Sequence, residues 1–155
     1  MVGITEQFPE GQLFGRLSAF VGPDLEALVN GIIINWEPYI GRLHYVEQAV
    51  GLCADHRHPI PRETLDQLLA EARSRGQRLL AAQVLRARGL QERDADNLRE
   101  ALEWYTGAGS RPYIARTQVE LGQLVDDPAL VDAGTAVLDV LGDVTYLGRV
   151  ATKTR

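Results

Sequence analysis

The chain repeats its own pattern when shifted by 33 residues. Ala82 falls on Ala115, Gly89 on Gly122, Ala101 on Gly134 and Gly109 on Gly142. Larger apolar residues coincide as well: Leu98 falls on Val131 and Tyr105 on Leu138. Each copy reads as helix, short turn, helix, glycine. This constrains the fold more than any other feature, because one helix pair of this length cannot bury both of its faces. Copies must stack so that neighbours share a continuous core. Small residues belong where two backbones cross closely. Gly89 and Gly122 suit that role in the first helix of each copy, Ala101 and Gly134 in the second. The stretch "GAGSRP" then ends one pair and lets the next begin.

Helical spacing of apolar residues extends the reading along the chain. Helices are predicted over residues 23–36, 39–54, from near Pro61 to Gly76, 77–88, 96–106, 112–124 and 128–141. That is about seven, with residues 144–150 as one further short piece. The trio Ile32, Ile33 and Ile34 would suit a strand, but spacing of three and four on both sides favours a helix. Asp94 or Asp96, Ser110 and Asp127 sit at N-cap positions, and Pro112 and Pro128 fall in first turns. Residues 1–22 read as an irregular arm or cap, 23–150 as one helical-repeat domain and 151–155 as a frayed tail. Residues 39–75 read as a third, more degenerate copy.

These positions resemble the tetratricopeptide-type helical repeat. With Ala82 and Ala115 as first residues, Gly89, Gly122, Ala101, Tyr105 and Ala108 match its small and aromatic positions, and Gly134 and Leu138 substitute in the second copy. The likeness covers about residues 78–143. The segments "LLAAQVLRARGL", "LREALEWYTGAGSRPYIARTQVELGQL" and "VLDVLGD" are also similar to the C-terminal helical regions of bacterial NTPase-containing transcriptional regulators and adenylate cyclases. The resemblance implies an all-α, right-handed superhelical stack of antiparallel helix pairs. It also implies a protein-interaction role in signalling or transcriptional regulation.

Charge and composition narrow the function. The formal net charge of −5 argues against an electrostatic grip on nucleic acid. No apolar run is long enough to span a membrane, and the N-terminus lacks the basic start of a signal peptide. The single cysteine, Cys53, excludes an internal disulfide and suits a reducing, cytoplasmic setting.

Candidate sites are few. "CADHRH" gathers Cys53, Asp55, His56 and His58, all credible zinc ligands. No second pair completes a site, and a core cysteine followed by a polar helix end accounts for them. His44 has no nucleophile or orienting partner in the sequence. Asp94 with Asp96, and Asp126 with Asp127, sit at turns, where aspartate caps helices. Arg73, Arg75, Arg78, Arg86 and Arg88 read as a solvated face paired with Glu71 or Glu92, or else as a patch for an acidic partner. Trp104, Tyr113 and Arg116 surround the joint between copies. If Tyr105 fills the core, its neighbour Trp104 is more exposed and suited to anchor an interface.

The expectation is therefore a non-enzymatic protein-interaction module with no cofactor and no metal. Its binding residues would come from Trp104, Tyr113, Arg116, Arg86, Trp36 and Tyr39. A protein or peptide is the expected partner. A second copy of the chain is another candidate, through Phe14, Leu17, Phe20 and Val21. The alternative is an effector-sensing domain, with an apolar pocket near Trp36, Tyr39 and Trp104.

Overall fold

The computed structural model describes residues 23–36 and 40–153. The expected N-terminal arm, Tyr39 and the apolar residues Phe14, Leu17, Phe20 and Val21 lie outside them.

The 33-residue period survives as geometry. We name the helices α1 (Pro23–Leu28), α2 (Ile40–Asp55), α3 (Arg62–Ser74), α4 (Arg78–Glu92), α5 (Ala95–Ala108), α6 (Arg111–Val125), α7 (Pro128–Leu141) and α8 (Val144–Lys153). Helices α3, α5 and α7 start at residues 62, 95 and 128, and α4, α6 and α8 at 78, 111 and 144. The glycines that end the first set, Gly76, Gly109 and Gly142, all hold positive φ (64°, 72° and 73°). A left-handed residue closes a helix by satisfying its last carbonyls, and glycine adopts that conformation without a Cβ clash. The repeat thus runs beyond residues 78–143 on both sides, and the terminal piece is an eighth helix reaching into the expected tail.

Caps start the helices as the sequence implied. Asp94 accepts hydrogen bonds from the Asp96 and Asn97 amides, and Asp127 accepts one from the Leu130 amide. Ser110 holds the N-cap position of α6 without a side-chain cap.

The small residues lie at crossings. A Cβ added to Gly122 would come within 2.7 Å of Val131 Cγ2, and one on Gly134 within 2.5 Å of the Ala115 carbonyl oxygen. Helices α4 with α5, and α6 with α7, consequently make the two most extensive helix–helix interfaces. The α2–α3 pair departs from this pattern. Its joint has the same left-handed turn at Arg57 and the same closing bond, from the His58 amide to the Cys53 carbonyl (2.8 Å). But Cys53 stands where Gly89 and Gly122 sit in the other joints, and the connection to α3 is longer. Helix α2 therefore packs chiefly on α4. In the connection, Ile60 is buried and its backbone pairs with the Gln91 side chain in both directions (2.7 and 3.0 Å).

The predicted helix over residues 23–36 is also modified. After α1 the chain widens into a π turn, Val29–Ile33, closed by the Ile34 amide on the Val29 carbonyl. The wider turn lets Leu28, Val29, Ile32 and Ile33 all be buried, while Ile34 stays exposed.

The apolar core has two parts. The larger joins α1 to α5 and contains Leu28, Ile33, Leu43, Leu68, Leu85 and Tyr105. The smaller joins α6 to α8 through Ala115, Val119, Leu138 and Tyr146. Among the described residues no helix is long and apolar enough to cross a membrane.

Candidate functional site: a buried ionic seam and the clefts beside it

Between the two apolar clusters runs a line of charged side chains supplied by alternate helices. Helix α4 is buried almost all round from Leu80 to Ala87, so the polar residues in that run, Gln83 and Arg86, are buried with it. Arg86 is fully buried. Its Nε and Nη2 donate to both Glu120 oxygens (2.8 and 2.5 Å), and Nη2 also donates to Asp55 Oδ1 (2.6 Å). Nη1 is buried and has no hydrogen-bond partner among the described residues. Arg116 of α6 joins Asp55 at the end of α2 (2.8 Å) to Asp143 at the start of α8 (2.6 Å). The Tyr146 hydroxyl donates to Glu120 (2.7 Å), and Arg149 donates to the Asp55 carbonyl.

Aromatic faces fill the space around these charges. Tyr113 stacks on Tyr105 with ring centroids 5.2 Å apart, and the guanidinium groups of Arg86 and Arg116 lie 5.8 and 5.5 Å from the Tyr113 centroid. The line continues away from α6. Tyr105 donates to Gln83 (2.6 Å), and Gln83 donates to the buried Glu47 (3.2 Å). Gly51 makes room for this contact, since a Cβ there would fall 2.6 Å from Gln83 Nε2.

Burial and pairing compete at each ionisable group. For Asp55, burial pushes the pKa up, but Arg86, Arg116 and Arg149 outweigh it and hold the carboxyl below its ordinary value. For Arg86, burial opposes the charge, yet Glu120 and Asp55 prevail and keep the guanidinium protonated. Glu47 meets no arginine among the described residues; its nearest cationic partner is the exposed His44, at 3.8 Å. Burial raises its pKa, and the Gln83 hydrogen bond and His44 only partly oppose this. Burial and the neighbouring Asp55 push the Cys53 thiol up to about 12.

This arrangement revises the reading of Arg86 and bears out the pairings with Glu71 and Glu92 and the core placement of Cys53. Arg86 belongs to no solvated face or docking patch; Glu120 and Asp55 hold it in the interior. The other arginines of that cluster separate: Arg73 pairs with Glu100, Arg75 with Glu71, and Arg88 with Asp66 and Glu92, while Arg78 donates to the Gly107 carbonyl. In "CADHRH", Cys53 is a core residue and Asp55 turns to the arginines. Among the described residues no three His, Cys, Asp or Glu side chains gather as metal donors. Tyr113 and Arg116 do meet at the joint between copies, but they are partly buried and bonded to the seam. Trp36 is half-buried against the larger apolar cluster.

Glu47, Gln83, Glu120, Asp143 and Tyr146 were not singled out from the sequence. A signal existed for Gln83: "LLAAQVLRA" is apolar around the whole helix, which marks a central helix and makes its Gln, like Arg86, a buried polar group.

Trp104 sits as its neighbour dictates. Tyr105 is buried, so Trp104, about 100° further round the helix by geometry, reaches the rim. There it borders an open cleft of about 360 Å³ with Arg78, Glu100, Glu103 and Gly107. Its indole donates to Glu100 (3.4 Å). A second cleft, of about 430 Å³, lies between the α2–α3 and α4–α5 turns. Comparison of the chain with protein-family models, with curated proteins and with solved structures finds no match.

Proposed function

We propose that the chain is a non-enzymatic protein-interaction module built from tetratricopeptide-type helix pairs. Its partner is a protein or peptide, docked across the Trp104 cleft. The observation that carries this reading is a half-buried tryptophan at the rim of an open cleft, bordered by charges of both signs. Tryptophan in such a setting supplies the apolar contact area of interface anchors, and Arg78, Glu100 and Glu103 supply the polar rim. The rest of the chemistry supports a scaffold. The acids of the ionic seam are occupied by arginines, tyrosine or glutamine inside the fold, which suits holding helix pairs in register.

The test is quantitative affinity capture with wild-type and Trp104→Ala baits, each verified as folded by far-UV circular dichroism. A partner held by the wild type should be lost, or retained at no more than about a tenth, with the variant, as removal of an anchor worth 2 kcal/mol or more implies. Equal capture by both baits would refute docking at this cleft.

A further inference from the structure

The cleft between the α2–α3 and α4–α5 turns carries an unbalanced positive charge. Most arginines of the described residues are accounted for. Arg62, Arg73, Arg75, Arg88 and Arg99 pair with surface acids, Arg86 and Arg116 lie in the seam, and Arg78 and Arg149 donate to backbone carbonyls. Arg57, Arg93 and Arg111 are exposed and make no ion pair or side-chain hydrogen bond among the described residues, and the first two border this one cleft. Acids outnumber bases in the chain by 21 to 16, so two unmatched guanidinium groups at one cleft form a local positive pole.

Their backbone adds a second observation. Arg57 and Arg93 both hold left-handed φ, 56° and 54°. Glycine or asparagine is the usual residue at this point after a helix, because a Cβ there crowds the following carbonyl. Arginine thus occupies two positions where glycine would be more stable. The third turn of the series has Asp126 instead, and the cleft beside it carries Asp126, Asp127 and Asp132 with no cation among the described residues that line it. The positive character is therefore confined to the first two turns.

The floor is apolar. Leu90, Leu98 and Leu124 line it, and the one acid on its wall, Glu120, already accepts from Arg86 and Tyr146. The volume falls in the range that accommodates small ligands.

We propose that this cleft binds a small organic anion, a carboxylate or phosphate ester on an apolar body. Arg57 and Arg93 take the anionic group, because guanidinium forks match both oxyanions. The partly exposed Leu90 and Leu124 take the apolar body. The site lies away from Trp104 and does not depend on partner docking there.

The full chain is titrated calorimetrically with octanoate, octyl phosphate, octanol and inorganic phosphate, using wild type, Arg57→Gly and Arg93→Gly. Saturable binding of octanoate or octyl phosphate is expected, with the favoured head group identifying the natural one. Octanol and inorganic phosphate should each bind at least about tenfold more weakly, and each glycine variant should lose about tenfold in affinity for the anionic amphiphile. The glycine variants should melt at or above the wild-type temperature, which separates lost binding from lost folding. Failure of both amphiphiles to bind, equal binding of octanol or of inorganic phosphate, or unchanged affinity in both variants would overturn the proposal.

Discussion

Replacing Arg86 with methionine tests whether the ionic seam holds the two apolar clusters together. Methionine keeps most of the buried volume, so little of the effect comes from a cavity. The variant instead leaves Glu120, whose side chain is 1% exposed, with no arginine in contact. Breaking a buried pair by removing one member costs about 3–5 kcal/mol. Asp55 adds little, because Arg116 still reaches it at 2.8 Å. The expected loss is thus about 3–5 kcal/mol, or about 6–20 °C in Tm at this chain length. Replacing Glu120 with leucine in the same chain removes the stranded charge. The Tyr146 hydroxyl then loses its 2.7 Å acceptor and retains only the Arg116 carbonyl at 3.4 Å. That residual penalty is about 1–3 kcal/mol. Arg86→Met with Glu120→Leu should therefore be more stable than Arg86→Met alone by about 2 kcal/mol, although it carries one more substitution. Urea unfolding at pH 7, followed by far-UV circular dichroism for the wild type, both single variants and the double, gives the coupling energy. A loss under about 1 kcal/mol for Arg86→Met, or additivity within about 0.5 kcal/mol, would refute the reasoning.

Two further predictions address the crossings and the titrating acids. Gly134→Ala should destabilise by about 1–3 kcal/mol through overpacking, because its Cβ would strike the Ala115 backbone oxygen, whereas an added Cβ at Gly148 in α8 meets no described atom within 4 Å and Gly148→Ala should stabilise by about 0.5–1 kcal/mol; thermal melts of both variants check the contrast. Glu47 has a folded pKa raised above its ordinary 4.5, so its contribution to stability is fully present below that pH and is lost as pH rises through the folded value. Asp55 behaves oppositely: its folded pKa is depressed, so its contribution is present above its ordinary 3.8 and is lost as pH falls through the folded value. Glu47→Gln should therefore be at least as stable as wild type at pH 7 and should flatten the decline in stability above about pH 4.5. A variant less stable than wild type at pH 7, with an unchanged pH profile, would contradict this.

Much of the architecture was legible in the chain because it depends on neighbours in sequence. Helix starts follow from Asp94 and Asp127, and helix ends from Gly76, Gly109 and Gly142, each acting within a few residues of itself. The crossing residues Gly89, Gly122 and Gly134 were legible because a fixed period repeats the same short-range contact. The seam was not legible for a different reason. Arg86 finds its partners 34 residues away in Glu120 and 31 away in Asp55, and Arg116 reaches Asp55 across 61 residues. The apolar run around Arg86 marks it as interior and its exposed neighbour Arg78 as not, but nothing local says which acids it meets. A charge enters the interior only when opposite charges from other helices arrive to offset its desolvation, and that requires the helices to be packed already. The chain alone set where helices begin, end and cross. The packed fold decided which charges lie inside the stack and which two unmatched arginines share one surface cleft.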